Sequence, residues 1–284
     1  MTKPESTFRR VDSAPNERHR GGGRLWWLPY VIGAILATAA LVVMIWQVVV
    51  RGPLVAVDWQ IHEYFSPRVG DGAGKVALDW LSRPGQRWLT LPVILAVGAY
   101  VSWRQQRLRP LIAVVVGLGT AYLLGKWTKE GLGRTPPFKD VDILHGVGEA
   151  FPSGHVANAT YTWALITLLL YGTRGLWPNR HRVYIGFAIS AGLVVLVSGI
   201  MVINDYHWLS DVPGGIAIGL IALMAALITW GPAETVNEPP ADSRSSDTLS
   251  APDPDQSDDD LAPAASETPS RESARAVRPA SADE

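Results

Sequence analysis

Leu25-Trp26-Trp27-Leu28-Pro29-Tyr30-Val31-Ile32-Gly33-Ala34-Ile35-Leu36-Ala37-Thr38-Ala39-Ala40-Leu41-Val42-Val43-Met44-Ile45-Trp46-Gln47-Val48-Val49-Val50 runs for 26 positions without a formal charge. A bilayer core is crossed by about 20 apolar residues in a helix, so this stretch is long enough to span. It exceeds the apolar core of a signal peptide, and no clean small-x-small cleavage site follows it. Trp26, Trp27 and Trp46 stand near its ends, where interfacial aromatics sit.

Five more uncharged runs follow: Trp88–Trp103, Leu111–Gly125, His155–Thr173, Val183–Asn204 and Val212–Trp230. The second and third runs are short for a span. Counting all six predicts an all-α, polytopic membrane protein with a bundle of six transmembrane helices over residues 25–231. Lys/Arg bias orients it. Lys3, Arg9, Arg10, Arg18, Arg20 and Arg24 precede the first run. Arg104, Arg107 and Arg109 follow the second, and Arg174, Arg180 and Arg182 follow the fourth. Six spans put all three groups on one face, so both termini are expected in the cytoplasm. Residues 51–87, 126–154 and 205–211 then lie at the extracytoplasmic face of a cell membrane.

The flanks differ. The net charge of -1 hides a tail, 233–284, with 13 acidic and 4 basic residues against 21 basic and 13 acidic in the remainder. Residues 1–24 and 232–284 lack large apolar groups in number and are expected to be disordered. Without cysteine, disulfides, thiolate metal sites and a Cys nucleophile are excluded. No feature calls for a cofactor, a metal or a nucleic acid.

Three stretches on the extracytoplasmic face carry chemistry. Phe151-Pro152-Ser153-Gly154-His155 runs into the fourth helix. A turn there exposes backbone N–H groups and the positive helix end, a site suited to phosphate. Ser153 could add a hydroxyl, Gly154 admit the ligand, and His155 protonate a leaving oxygen. A plain N-cap at Ser153 fits the same residues. His207 and Asp211, four apart, can share one face of a turn, with the carboxylate holding one ring nitrogen and the other free to attack. A solvated His and a capping Asp fit equally. Lys126, Lys129 and Arg134 lie just past the third run, as phosphate clamps or as snorkelling cations.

The order of these stretches resembles the type 2 phosphatidic-acid phosphatase and vanadium haloperoxidase superfamily. Pro152-Ser153-Gly154-His155 matches its central motif, and His207 with Asp211 its last. The resemblance covers about residues 80–230. It implies a six-helix membrane core and an enzyme: a metal-independent phosphatase acting on a lipid phosphomonoester or diphosphate through phosphohistidine. His207 is then the nucleophile, Asp211 its orienting group and His155 the general acid. Ser153 and Gly154 bind phosphate. Two positions depart. The first motif is Lys, six residues, Arg-Pro, but six residues after Lys129 stand Pro136-Pro137. Arg134 is therefore expected as the clamp, paired with Lys126 or Lys129. The last motif carries Arg where Met201 stands, so one phosphate-binding Arg is missing. A catalytically weak or inactive lipid-phosphate binder and a lipid-linked phosphotransferase are the alternatives.

Overall fold

A computed structural model of the chain describes residues 25–69 and 72–232. The basic N-terminal segment and, but for residue 232, the acidic tail lie outside the described residues. Among those residues there are eight α-helices and two 3-10 turns, with no strand. The helices are α1 (Leu28–Val49), α2 (Pro53–Phe65), α3 (Ala73–Leu81), α4 (Arg87–Gln105), α5 (Arg109–Leu132), α6 (Gly154–Tyr171), α7 (Arg180–Ile203) and α8 (Asp211–Trp230).

Each of the six uncharged runs coincides with a helix. Four segments are long and apolar enough to cross a membrane: α1, Arg109–Lys139 with α5, α7 and α8. Without water in a bilayer, backbone groups must pair within the segment, which selects helices. Ile32, Ile35, Leu36, Val42 and Val43 of α1 stay exposed, a belt that would be untenable in water and that suits a membrane protein. α4 and α6 are not among the four. α6 carries His155, Asn158, Thr160, Thr162 and Thr167, and ten of its residues are buried by neighbours.

α6 and α8 form the centre, with α8 against α1, α5 and α6, and α6 against α4 and α7. Ile94, Val101, Val114, Tyr161, Leu165, Leu169 and Leu227 fill the core between α4, α5, α6 and α8. Two glycines set how closely helices approach. At Gly117 a Cβ would fall 2.4 Å from the Tyr161 ring, whose hydroxyl donates to the Val114 carbonyl at 2.8 Å. At Gly215 a Cβ would fall 2.5 Å from the Ser153 carbonyl oxygen, so the Pro-Ser-Gly turn rests on bare α8 backbone.

Residues 51–87 were expected as a loop. They form α2 and α3 and the 3-10 turn Arg83–Gly85. α2 starts on Gly52-Pro53, a favoured first turn. It buries Val55, Asp58 and His62, three and four residues apart, on the side facing the functional loops.

Candidate active site

Behind the site lies one guanidinium. Arg134 is fully buried, held by the turn that follows Gly133, a left-handed helix cap at φ 52°. Its Nε and Nη2 donate to Asp142 at 2.8 and 3.1 Å. Nη2 also donates to Asp58 at 2.9 Å, and Nη1 to Asp211 at 2.8 Å and to the Ser210 hydroxyl at 2.7 Å. These bonds use all five N–H groups of the side chain. Asp58 in turn accepts from the Ser210 N–H and hydroxyl. Burial pushes the Asp58 carboxyl upward, and the Ser210 and Arg134 donors pull it back. The expected phosphate clamp at Arg134 is therefore corrected. With no exposed donor left, and lining neither cavity described below, this residue ties α2, the 133–153 loop and α8 together.

His207 is held by main chain. Its Nδ1 lies 2.7 Å from the Ala150 carbonyl oxygen. A carbonyl can only accept, so Nδ1 carries the proton and Nε2 keeps its lone pair. Asp211 Oδ2 stands farther from Nδ1, at 3.5 Å, and accepts from the Trp208 N–H at 2.9 Å. The carboxylate expected to orient the ring thus acts mainly as acceptor for the Trp208 N–H and as an ion-pair partner of Arg134 beside it. The Ala150 N–H donates to the Arg134 carbonyl at 3.0 Å, which pins the peptide that holds His207. His155 faces this ring, the two centroids 6.5 Å apart and the planes at 65°.

Ser153 precedes α6 but its side chain makes no cap bond, so the cap reading fails here. Its hydroxyl oxygen is buried without a partner. A buried, unsatisfied hydroxyl is costly unless a ligand meets it. A Cβ at Gly154 would meet nothing within 4 Å, so the helix start opens onto free space, where N–H groups and helix dipole favour an anion.

That space is a cavity of about 610 Å³ lined by His155, His207, Lys129, Lys139, Asp79 and Glu149, with Gly154 at its edge. Pro136 and Met201, where arginines were expected, also line it. An adjoining cavity of about 550 Å³ is lined by Arg87, Tyr122, Lys126, Lys129, Ser153 and Asn158. Lys129, Gly148, Glu149 and Gly154 border both. So Lys129 lines the cavity that holds the histidines and Lys126 does not. Lys129 pairs with Glu149 at 3.6 Å, and Lys126 with Glu130 at 3.7 Å. Among the described residues, no group of three or more His, Asp and Glu side chains is placed to hold a metal ion.

The sequence reading missed Asp58, Asp142 and Ser210 around Arg134. It also missed Asp79 on α3, which accepts from Asn204 at 2.9 Å and from the Tyr206 hydroxyl at 3.3 Å. A signal existed for Asp58: it shares a helical stripe with Val55 and His62. Asp79 left none, since its partners Asn204 and Tyr206 lie 125 and 127 residues away; Asp142 sits eight residues from Arg134 in the same loop, a spacing that no regular element marks.

Comparisons with known proteins bear on the fold and on the matched segment. Residues 110–234 match the family model of the PAP2 superfamily. Phosphatidylglycerophosphatase B of Bacillus subtilis (strain 168) is 32% identical over 133 residues, 46% of this chain. The chain spans 63% of the length of that curated relative. The crystal structure of a transmembrane PAP2 type phosphatidylglycerolphosphate phosphatase from Bacillus subtilis superposes with a TM-score of 0.58 at 22% identity. That match covers 68% of this chain and 94% of the other, and it establishes the shared fold. Pro-Ser-Gly-His at the α6 start and His207 opposite both lie inside the segment that matches the PAP2 superfamily model.

Proposed function

We propose that this chain is an integral-membrane lipid phosphate phosphatase that works through a phosphohistidine at His207. The observation that carries the reading is the Nδ1 contact to the Ala150 carbonyl, which leaves Nε2 as a nucleophile opposite His155. Nε2 attacks phosphorus, the bond from phosphorus to the lipid oxygen breaks, and His155, entering protonated, gives that oxygen its proton. A water molecule then loses a proton to His155 and attacks phosphorus. The P–N bond breaks, inorganic phosphate leaves and Nε2 is restored. Lys129, the Ser153 hydroxyl and the first N–H groups of α6 meet the phosphoryl charge. In this reading α4 and α6 cross with the four apolar spans. Both termini are cytoplasmic, and the headgroup enters from the extracytoplasmic face. Phosphatidylglycerol phosphate, phosphatidic acid and polyprenyl phosphates or diphosphates are the candidate substrates. The route needs no metal ion.

One observation favours a second reading, a catalytically weak or non-catalytic lipid-phosphate binder. Pro136 and Met201 line the cavity without charge, so two guanidinium contacts worth a few kcal/mol to a phosphoryl group are missing. Phosphate release from a lipid phosphate panel, with and without chelator, decides between the two. The phosphatase reading expects release that survives chelation and acid-labile covalent phosphate in wild type but none in His207→Ala. No release from any lipid would favour the binder.

A further inference from the structure

One buried histidine beside the site takes no part in the chemistry above. His62 on α2 is 7% exposed. Its two ring nitrogens meet different carboxylates: Nδ1 stands 3.0 Å from Asp205 Oδ1 and Nε2 stands 3.1 Å from Asp140 Oδ1. An ionised carboxylate can only accept, so both contacts are hydrogen bonds only when both nitrogens carry a proton and the ring is an imidazolium. A neutral ring has one N–H and turns its other lone pair on a carboxylate oxygen. Trp59 and Trp208 wall the ring, their centroids 5.7 and 5.6 Å from its own. The remaining charged groups around it are otherwise engaged or adjacent in sequence. Arg134 also borders Trp208, at 5.3 Å, and Asp58, one turn earlier on α2, accepts from Arg134 and Ser210. Glu63 follows His62, and Lys139 precedes Asp140.

The two carboxylates belong to the two segments that bring His207 to its acceptor. Asp140 lies in the 133–153 loop, which also carries Ala150, and Asp205 stands two residues before His207. Both hold a left-handed backbone, at φ 56° and 59°, and the Asp205 carbonyl accepts from the Phe138 N–H at 3.2 Å. From α2, His62 thus fastens the loop that offers the Ala150 carbonyl to the turn that supplies His207.

We propose that His62 is a positioning residue for the reaction, a proton-dependent clasp. Charged, it holds the Asp140 and Asp205 segments together and sets His207 against the Ala150 carbonyl. Uncharged, it releases one of them. The effect on turnover rests on the phosphatase reading, whereas the clasp itself does not. The direction follows from the donors. The clasp needs the protonated ring, so it is complete at acid pH and is lost as pH rises through the range in which histidine gives up its proton, about pH 5 to 8.

Asp140→Asn separates the clasp from the other titrations. The Asp140 side chain is exposed, so the substitution leaves the core untouched, and asparagine tolerates the left-handed backbone. Its amide oxygen accepts from the charged ring and its N–H donates to the neutral one, so the contact survives in both states. Wild type and Asp140→Asn are compared in detergent from about pH 5 to pH 8, for Tm and for kcat on the best substrate of the lipid phosphate panel. At the acid end the two should agree within about twofold in kcat. As pH rises, wild type should fall behind Asp140→Asn by about three- to tenfold, the size of one lost hydrogen bond, and its Tm should fall behind as well. His62→Gln, which cannot titrate, should show the deficit already at the acid end. A ratio of kcat values that stays constant across the range overturns the positioning role, even where Tm diverges. If wild type hydrolyses no lipid phosphate, the phosphatase reading fails, and Tm alone decides the clasp: parallel curves for wild type and Asp140→Asn sink it.

Discussion

Replacing Arg134 by methionine should unfold the protein long before it reveals anything about phosphate. The side chain is buried and bonded to Asp58, Asp142, Asp211 and Ser210. Methionine fills most of the volume but leaves three carboxylates packed without their cation. Breaking a buried ion pair by removing one partner costs about 3–5 kcal/mol. Three acids share this partner, so the upper end applies. For a body of roughly 200 residues each kcal/mol moves Tm by about 2–4 °C, so the expected drop is roughly 10–20 °C. Thermal unfolding of purified Arg134→Met in detergent measures it, beside Arg134→Lys, which keeps the charge but not the five-donor fork. Asp142→Asn in the Arg134→Met background should recover part of the loss, because one stranded carboxylate is neutralised; the double mutant should be less damaged than the two singles added together. An Arg134→Met protein with wild-type Tm and only a raised KM would refute this reasoning and return Arg134 to the role of a phosphate clamp.

Three further outcomes follow from the geometry. His207→Ala should lower turnover at least a thousandfold on every substrate, whereas His155→Ala should cost ten- to a hundredfold less on an aryl phosphate, whose leaving group needs no proton, than on a lipid phosphate; parallel losses across substrates would deny His155 the acid role. Met201→Arg places a guanidinium at the wall of the histidine cavity and should tighten orthovanadate inhibition by about tenfold; a purely destabilised variant with unchanged inhibition would show that the wall at 201 does not face the phosphoryl group. Gly215→Ala pushes a methyl to 2.5 Å from the Ser153 carbonyl oxygen. It should cost about 1–3 kcal/mol of stability and displace the Pro-Ser-Gly turn, read as a fall in kcat larger than the change in Tm explains.

What the sequence showed of this fold was set by length and apolarity. Uncharged runs of 15 residues or more coincide with helices because a long apolar segment has few other ways to satisfy its backbone. α2 and α3 escaped notice because they are short and mixed in polarity, and their inward faces become apparent only once α7 and α8 are beside them. The reactive pair, His155 and His207, was legible because each sits in a compact motif. Arg134 was misjudged for a definite reason. A local motif shows that a cation is present but not whether its donors are already used, and two of its partners, Asp58 and Asp211, lie 76 and 77 residues away. Lys126 and Lys129 were indistinguishable by spacing. Both line the adjoining cavity, and the structure separates them because only Lys129, about one turn farther along α5, also lines the cavity with the histidines.

The nucleophile's proton rests on an oxygen that every amino acid possesses. Position 150 could change its side chain many times and still present the same acceptor to His207, subject only to the lack of room around a residue that is 2% exposed. A comparison of related chains would score such a position as variable among small residues and pass over it, although it fixes which ring nitrogen can react. The neighbouring carboxylate is thereby freed from sole charge of the imidazole and can serve the helix start and the buried guanidinium as well. Replacing Asp211 should accordingly be felt first as a loss of folded protein, with the chemistry of the survivors less impaired than its place beside the histidine suggests.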